Sequence, residues 1–178
     1  YDWARDCVHI PFGLVSLEEG TMSTRQGRVV FLEDVLNRAV EQTKEIIREK
    51  GVNTENIDET AKIVGIGAVV FNELSNNRIK DYVFSWNKVL DFNGETGPYV
   101  QYTAARCFGV LAKSNLDYSN FTLPEKLETC EYDLIAHLAS FPSTVSASAE
   151  KLEPSFITRY AIDLAKLYNK FYFECKIL

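Results

Sequence analysis

The sequence is poor in cysteine and histidine, and this limits the sites it can form. It has four cysteines and two histidines, with no CxxC pair and no Cys/His cluster, so we predict no metal site. Their wide separation also argues against a disulfide framework, and we expect buried free thiols in a cytoplasmic protein. The cysteines are Cys7, Cys107, Cys130 and Cys175.

Long apolar runs and an excess of basic charge are missing as well. No run reaches the roughly 18 apolar residues that a membrane span needs, so we expect no membrane partner. The chain carries 19 basic and 25 acidic side chains, a net charge of −6. A protein that coats DNA would be basic, because phosphate neutralisation dominates its affinity. We therefore expect no DNA partner, and any RNA contact must use a local patch or base stacking.

What the sequence does contain is helical periodicity. Apolar residues at spacings of three and four predict a helix over residues 33–50, stopped by Gly51, and a second over 58–75. Gly65 and Gly67 inside the second helix indicate close packing against a neighbour. The stretches without this period are expected to be extended at 8–15, an exposed loop at 16–28, and irregular or partly extended at 76–96 with a helical turn at 86–90.

Prolines mark the helix starts in the second half. Pro98 suits the first turn of a third helix, because its missing N–H needs no partner there. After a polar linker at 114–123, Pro124 is expected to open a fourth helix that runs to about Phe141. Pro142 and Pro154 open two more. This order predicts an antiparallel helical bundle.

The loop from Gly20 to Arg28 combines hydroxyl side chains, arginine and flanking glycines. Arginine and hydroxyl groups can donate to phosphate oxygens, and glycine lets backbone N–H groups approach an anion. A solvated turn has the same composition. Composition alone favours the turn and leaves both interpretations open.

Tyr99, Tyr102 and Arg106 share one face of the third helix. Exposed aromatic and arginine side chains stack on unpaired bases, which is how single-stranded RNA is commonly bound. Two tyrosines at this spacing also suit a bundle core with their hydroxyls at its edge. The pattern alone favours the core.

Four segments of the sequence carry a resemblance to a known family. They run from Met22 to Leu36, His9 to Val15, Leu74 to Trp86, and Asn93 to Thr103. Together they resemble the arginyl-tRNA synthetases, which are class I aminoacyl-tRNA synthetases. In that family the segment that begins at Met22 stands in for the Lys-Met-Ser-Lys-Ser signature loop.

The resemblance implies an arginine–tRNA ligase. Such an enzyme activates arginine with ATP, accompanied by Mg²⁺ on the nucleotide, and passes the arginyl group from its adenylate to tRNA-Arg. It implies ATP contacts from the signature loop, with catalytic roles for Ser23, Thr24 and Arg25. The nucleotide-binding residues would be Met22, Ser23, Thr24, Arg25, Gln26 and Gly27.

Two departures from the family pattern qualify this implication. Gln26 stands where many members carry a cation, and an amide cannot replace a cation on pyrophosphate. The His-Ile-Gly-His-type motif and the arginine pocket have no counterpart in this sequence. We therefore expect this piece alone to be inactive, within a parent enzyme that is active.

For tRNA, the resemblance implies that the third helix opens the anticodon-binding domain. It tips the choice toward Tyr99, Gln101, Tyr102 and Arg106 as RNA contacts. The expected fold is mostly α, with the end of an α/β nucleotide-binding catalytic domain at 1–31, a helical connector at 32–92 and an antiparallel anticodon-binding bundle at 93–178.

The chain starts at Tyr1 without an initiator methionine, so we expect a piece of a longer protein. We expect the whole enzyme to be monomeric and cytoplasmic. One alternative is a non-catalytic helical module that binds tRNA or another RNA without ATP. Another is a helical interaction protein with no RNA role.

Overall fold

The computed structural model describes residues 1–18, 20, 29–51, 54–114, 122, 125–175 and 177. Helices dominate, as predicted, and two short strands pair near the N-terminal end. The elements in chain order are a 3-10 helix at Asp2–Arg5, β1 at Val15–Leu17, α1 at Leu32–Glu49, α2 at Ile57–Ser75, β2 at Tyr82–Phe84, α3 at Trp86–Val89, α4 at Gly97–Lys113, α5 at Thr129–Ala139, α6 at Phe141–Lys151 and α7 at Ser155–Glu174.

Helices α1 and α2 pack side by side because a glycine lets their backbones meet. A Cβ on Gly65 would lie 2.7 Å from the carbonyl oxygen of Ala39, so a larger residue would push the helices apart. Gly51 follows α1 with a φ of 61°, the left-handed conformation that glycine adopts without strain. The first two predicted helices and the close packing at Gly65 are confirmed. The adjoining core consists of Ala39, Ala68, Val69, Phe84, Val89 and Leu90.

The two strands pair in parallel, with Val15 opposite Tyr82 and Leu17 opposite Phe84. Their approach also depends on a glycine, because a Cβ on Gly13 would lie 2.3 Å from the Lys80 carbonyl. The prediction that residues 16–28 are loop throughout is wrong at its start. Strand β1 continues to Leu17 because β2 provides a backbone partner for it.

Arg78 joins the N-terminal segment to the end of α6. Its guanidinium donates to the carbonyl oxygens of Pro11 at 2.7 Å and Leu152 at 2.8 Å. A third hydrogen bond reaches the Lys151 carbonyl at 3.4 Å. Leu152 has a φ of 51°, uncommon for a residue with a side chain, and Arg78 satisfies its carbonyl.

The starts of α4 and α5 show two different signals. Helix α4 begins where predicted, with the Thr96 hydroxyl accepting from the Tyr99 amide at 3.4 Å and Pro98 in the first turn. Helix α5 begins at Thr129, so the prediction that Pro124 opens it is wrong. The carboxylate of Glu131 accepts from the Glu128 amide at 2.8 Å, and this capping box fixes the start.

Helix α7 packs against α2, α4, α5 and α6. It follows Pro154, as predicted, and the Glu153 carboxylate accepts from the Ser155 hydroxyl at 2.8 Å. Helices α4 and α7 run in the same direction. Glu95, just before α4, pairs with Lys166, and Arg106, later in α4, contacts the ring of Tyr172, later in α7. Among the described residues, no helix has both the length and the apolar character to cross a bilayer.

Candidate nucleic-acid interface

A groove of about 610 Å³ lies between α4 and the end of α7. Helical spacing puts its α4 residues on one face, three and four positions apart. Aromatic, aliphatic and basic side chains line it, and among the described residues none of its lining is acidic. The lining residues are Tyr102, Ala105, Arg106, Gly109, Val110, Lys113, Tyr172, Cys175 and Ile177.

Arg106 lies between two tyrosine rings in this groove. Its guanidinium carbon is 5.0 Å from the ring centroid of Tyr102 and 4.9 Å from that of Tyr172. Both distances are within the range of cation–π attraction. Tyr102 is 58% exposed, so its ring also presents surface to the outside. The result is a positively charged group held between aromatic faces.

Asn169 fixes this arrangement from α7. Its side-chain oxygen accepts a hydrogen bond from Arg106. Its amide donates to the Tyr99 hydroxyl at 3.0 Å and to the Thr103 hydroxyl at 3.0 Å. Tyr99 is therefore half-buried and engaged with α7, whereas Tyr102 faces the groove. The core interpretation fits Tyr99, whereas Tyr102 is exposed, and contact of either residue with RNA stays a prediction.

Gln101 lies apart from the other three predicted RNA contacts. Its amide nitrogen donates to the Ile63 carbonyl at 3.2 Å, against α2. A Cβ on Gly67 would lie 2.6 Å from that nitrogen, so Gly67 makes room for the side chain. The close packing predicted for Gly67 is thus confirmed. One residue step on a helix turns a side chain by about 100°, which separates Gln101 from Tyr102.

Other ionisable side chains of α7 lie near the groove without lining it. Burial, then a hydrogen bond with Cys107, raises the pKa of the Tyr168 hydroxyl to about 12. Lys170 approaches Asp133 at 3.9 Å, on the side of α7 that faces α5. Arg106 and Lys113 are the basic side chains in the groove lining.

The predicted ATP-contacting loop cannot be described in the same way. Met22, Ser23, Thr24, Arg25, Gln26 and Gly27 lie outside the described residues. On its N-terminal side, the Gly20 amide donates to the Leu17 carbonyl at 2.9 Å, directly after β1. On its C-terminal side, Phe31 precedes α1. Within the described ranges, no group of three or more acidic, cysteine or histidine side chains is arranged to hold a metal ion.

Two family models match the chain in succession. The model for tRNA synthetases class I (R), catalytic domain, matches residues 1–86, and that for the DALR anticodon binding domain matches 100–178. Arginine–tRNA ligase of Halothermothrix orenii is 56% identical over 100% of this chain and 32% of its own length. The ligase of Clostridioides difficile is 53% identical over the same shares. The chain belongs to the arginyl-tRNA synthetase family.

Solved structures of arginyl-tRNA synthetases have the same fold. The Thermus thermophilus enzyme superposes with a TM-score of 0.81 at 29% identity, over 94% of this chain and 27% of that one. The Plasmodium falciparum enzyme, at 23% identity and a TM-score of 0.78, shows the fold alone over 96% of this chain and 29% of that one. The chain spans about a third of the length of the curated relatives it matches.

Within this arginyl-tRNA synthetase segment, the sequence patterns singled out only Tyr102 and Arg106 among the residues that line the groove. Asn169, Tyr172 and Lys113 were missed, because nothing local marks them. Asn169 and Tyr172 are three residues apart on α7 and so share a face, which was the available signal. That signal becomes specific only when α7 is known to lie against α4.

Proposed function

We propose that this chain forms part of an arginine–tRNA ligase and that the groove between α4 and α7 binds the anticodon loop of tRNA-Arg. The observation that carries the proposal is Arg106 held between the rings of Tyr102 and Tyr172 in a groove lined by no described acidic residue. The match of residues 100–178 to an anticodon-binding family model supports it.

The chemistry of the groove suits unpaired bases. A base can stack on the exposed ring of Tyr102, and such stacking contributes about 1–3 kcal/mol per base. Arg106 offers planar donors to a base edge or a phosphate, while Asn169 keeps its orientation fixed. Lys113 adds positive charge, so a protein with a net charge of −6 still offers RNA a locally basic surface.

Tyr99 and Gln101 contribute to the proposed site by holding α4 in place. Tyr99 holds Asn169 through its hydroxyl, and Gln101 holds α4 against α2. We expect their substitution to weaken RNA binding by displacing the helix that carries Tyr102 and Arg106.

The second part of the proposal concerns ATP. We infer that the loop from Met22 to Gly27 contacts the nucleotide in the whole enzyme, with Arg25 balancing phosphate charge and Ser23 and Thr24 donating hydrogen bonds. Mg²⁺ would be carried by the phosphate oxygens of ATP. The match of residues 1–86 to the catalytic-domain model supports this assignment.

The domain division and the context of the whole enzyme are also proposals. The two family matches, ending at residue 86 and starting at residue 100, support a boundary near residue 92. We propose a monomeric, cytoplasmic parent that binds arginine mostly outside this segment. The segment alone should not catalyse arginine-dependent ATP–pyrophosphate exchange, and exchange by the purified chain would overturn that part.

The deciding experiment titrates the chain with tRNA-Arg and with the same tRNA carrying an altered anticodon, at one fixed ionic strength. Tighter binding of the natural anticodon is expected. Equal binding of both would reduce the interaction to backbone electrostatics and contradict anticodon recognition. A melt of the chain in the same buffer distinguishes an unfolded sample from a folded one that does not bind. The alternative is a non-catalytic module whose tRNA binding does not depend on ATP. Repeating the tRNA titration with ATP, on the chain and on the whole enzyme, tests this alternative.

A further inference from the structure

Two thiols from distant parts of the sequence meet where α5 begins and α7 ends. The sulfur of Cys130, in the first turn of α5, lies 2.9 Å from the sulfur of Cys175, which directly follows α7. Both cysteines are free, and 45 sequence positions separate them. Packing of α5 along α7 brings the two side chains together, so no further rearrangement of the helices is needed for contact.

We propose that Cys130 and Cys175 form a reversible disulfide on exposure to a low-molecular-weight disulfide, and that this bond fastens the end of α7 to the start of α5. Nothing in the proposed function requires such a bond. The inference therefore stands or falls independently of RNA binding.

The two thiols differ in access, and this difference sets the order of the steps. Cys130 is buried, with 4% of its surface exposed, whereas Cys175 is partly exposed and lines the groove. An incoming disulfide therefore meets Cys175 first. Cys130 is then in place to attack the sulfur of Cys175.

The exchange balances without any further reactant. The Cys175 thiolate attacks one sulfur of the small disulfide, which forms a mixed disulfide and releases one small thiolate. Cys130 loses its proton and attacks the Cys175 sulfur, which forms the Cys130–Cys175 bond and releases the second small thiolate. The two protein protons end on the two released thiols. The protein is oxidised by two electrons, and the small disulfide is reduced by two.

The surroundings make the first step slow. A hydrogen bond with Cys130, then burial, then the nearby charges of Cys130, Glu131 and Glu128 raise the pKa of the Cys175 thiol to about 11. Few thiolates are present at neutral pH, so the pair stays reduced in brief contact with an oxidant. Because the two sulfurs are adjacent, formation of the Cys130–Cys175 bond is then favoured over accumulation of the mixed disulfide.

The test incubates the reduced chain with oxidised glutathione and follows it by intact mass and peptide mapping. Loss of two hydrogens, with the Cys130 and Cys175 peptides linked, is expected, and dithiothreitol should reverse it. Closing a loop of this length restricts the unfolded chain, so the melting temperature should rise by several degrees, up to about 10 °C.

Matched variants identify the bond. Cys107→Ser should still lose two hydrogens, whereas Cys130→Ser should stop at a glutathione adduct on Cys175. A wild-type chain that keeps this adduct, links a different pair of cysteines or remains fully reduced would overturn the proposal. Because the wild-type readout is the mass itself, a folding defect in a variant cannot obscure it.

Discussion

The guanidinium of Arg106 donates a hydrogen bond to the side-chain oxygen of Asn169. This contact joins α4 to α7, two helices that run in the same direction. The same asparagine reaches the hydroxyls of Tyr99 and Thr103. One uncharged side chain thus positions the charged group of the groove and satisfies a buried hydroxyl beside it.

Replacing Asn169 with alanine should destabilise the chain. Arg106 and the buried Thr103 would lose a partner, at a cost of about 1–3 kcal/mol in the free energy of unfolding. Urea unfolding followed by circular dichroism measures this change. The exposed Asn87 is the control, and Asn87→Ala should change stability by no more than about 0.5 kcal/mol. Equal midpoints for the two variants would contradict the role given to Asn169.

Tyr102→Ala should weaken tRNA-Arg binding by about 5- to 150-fold, the equivalent of about 1–3 kcal/mol, because it removes the exposed stacking ring. Tyr102→Phe keeps the ring and should bind nearly as the unaltered chain does. Fluorescence anisotropy at fixed ionic strength gives both dissociation constants. The control is Tyr132→Ala, which removes a tyrosine that is 63% exposed on α5 and is not part of the groove lining. An equal loss in the Tyr132 variant would rule out a specific stacking role for Tyr102.

Two glycine substitutions should act in opposite directions. Gly65→Ala places a methyl group 2.7 Å from the Ala39 carbonyl oxygen, and we expect a loss of about 1–3 kcal/mol from overpacking. Gly109→Ala adds a methyl group that meets no described atom within 4 Å apart from its chain neighbours and the nearby backbone of α4, and better helix propensity should stabilise α4 by about 0.5–1 kcal/mol. Thermal melts measure both. A stabilising Gly65→Ala would show that α1 and α2 are not in the contact described.

Alkylation should reveal the pKa of Cys175. A thiol reacts as its thiolate, so a pKa raised to about 11 slows its reaction with iodoacetamide at pH 8, and the rate should climb until about pH 11. The hydrogen bond with Cys130 is the first cause of the shift, so Cys130→Ala should lower the pKa and speed the reaction at pH 8. Peptide mass spectrometry gives the rate at each cysteine.

Exposed Cys7 serves as the internal reference for that measurement. The raised pKa of Cys175 also makes the stability of the fold depend on pH. The folded chain favours the neutral Cys175 thiol, so this contribution is present below the unfolded pKa near 9.0 and is lost as pH rises toward about 11. A Cys175 rate that equals the Cys7 rate at pH 8 in the unaltered chain would contradict the raised pKa.

Arg78→Ala should loosen the N-terminal segment, because three carbonyl oxygens at Pro11, Lys151 and Leu152 lose their donor. Hydrogen exchange of the amides near Pro11 should accelerate by about tenfold or more if each lost hydrogen bond contributes about 0.5–1.5 kcal/mol. Lys80→Ala is the control, since that side chain is exposed in the same segment between α2 and β2. Unchanged hydrogen exchange in the Arg78→Ala variant would contradict the proposal that Arg78 joins the N-terminal segment to the end of α6.

Local signals in the sequence predicted most helix positions, and their failures have physical causes. Pro98 marked the start of α4, because its effect is confined to the first turn of the helix. Pro124 gave a false start, since the Glu128–Glu131 capping box decides where α5 begins. The β1–β2 pairing could not be predicted, because each strand of three residues depends on a partner far away in sequence.

Local sequence patterns predicted only part of the candidate site. Tyr102 and Arg106 could be found from α4 alone, since helical spacing places them on one face. Gln101, chosen with them, faces α2, and its role in RNA binding stays a prediction. Asn169 and Tyr172 depend on how α7 packs, which no local pattern encodes.

The parallel pairing of β1 with β2 also bears on the order of folding. Val15 and Tyr82 are 67 positions apart, and their contact closes a long loop that contains α1 and α2. Closing such a loop costs entropy before any strand hydrogen bond repays it. Contacts between the adjacent helices α1 and α2 carry a much smaller closure cost. We therefore expect the α1–α2 hairpin to form early on the folding pathway and the strand pair, with the segment that leads into the signature loop, to join it late.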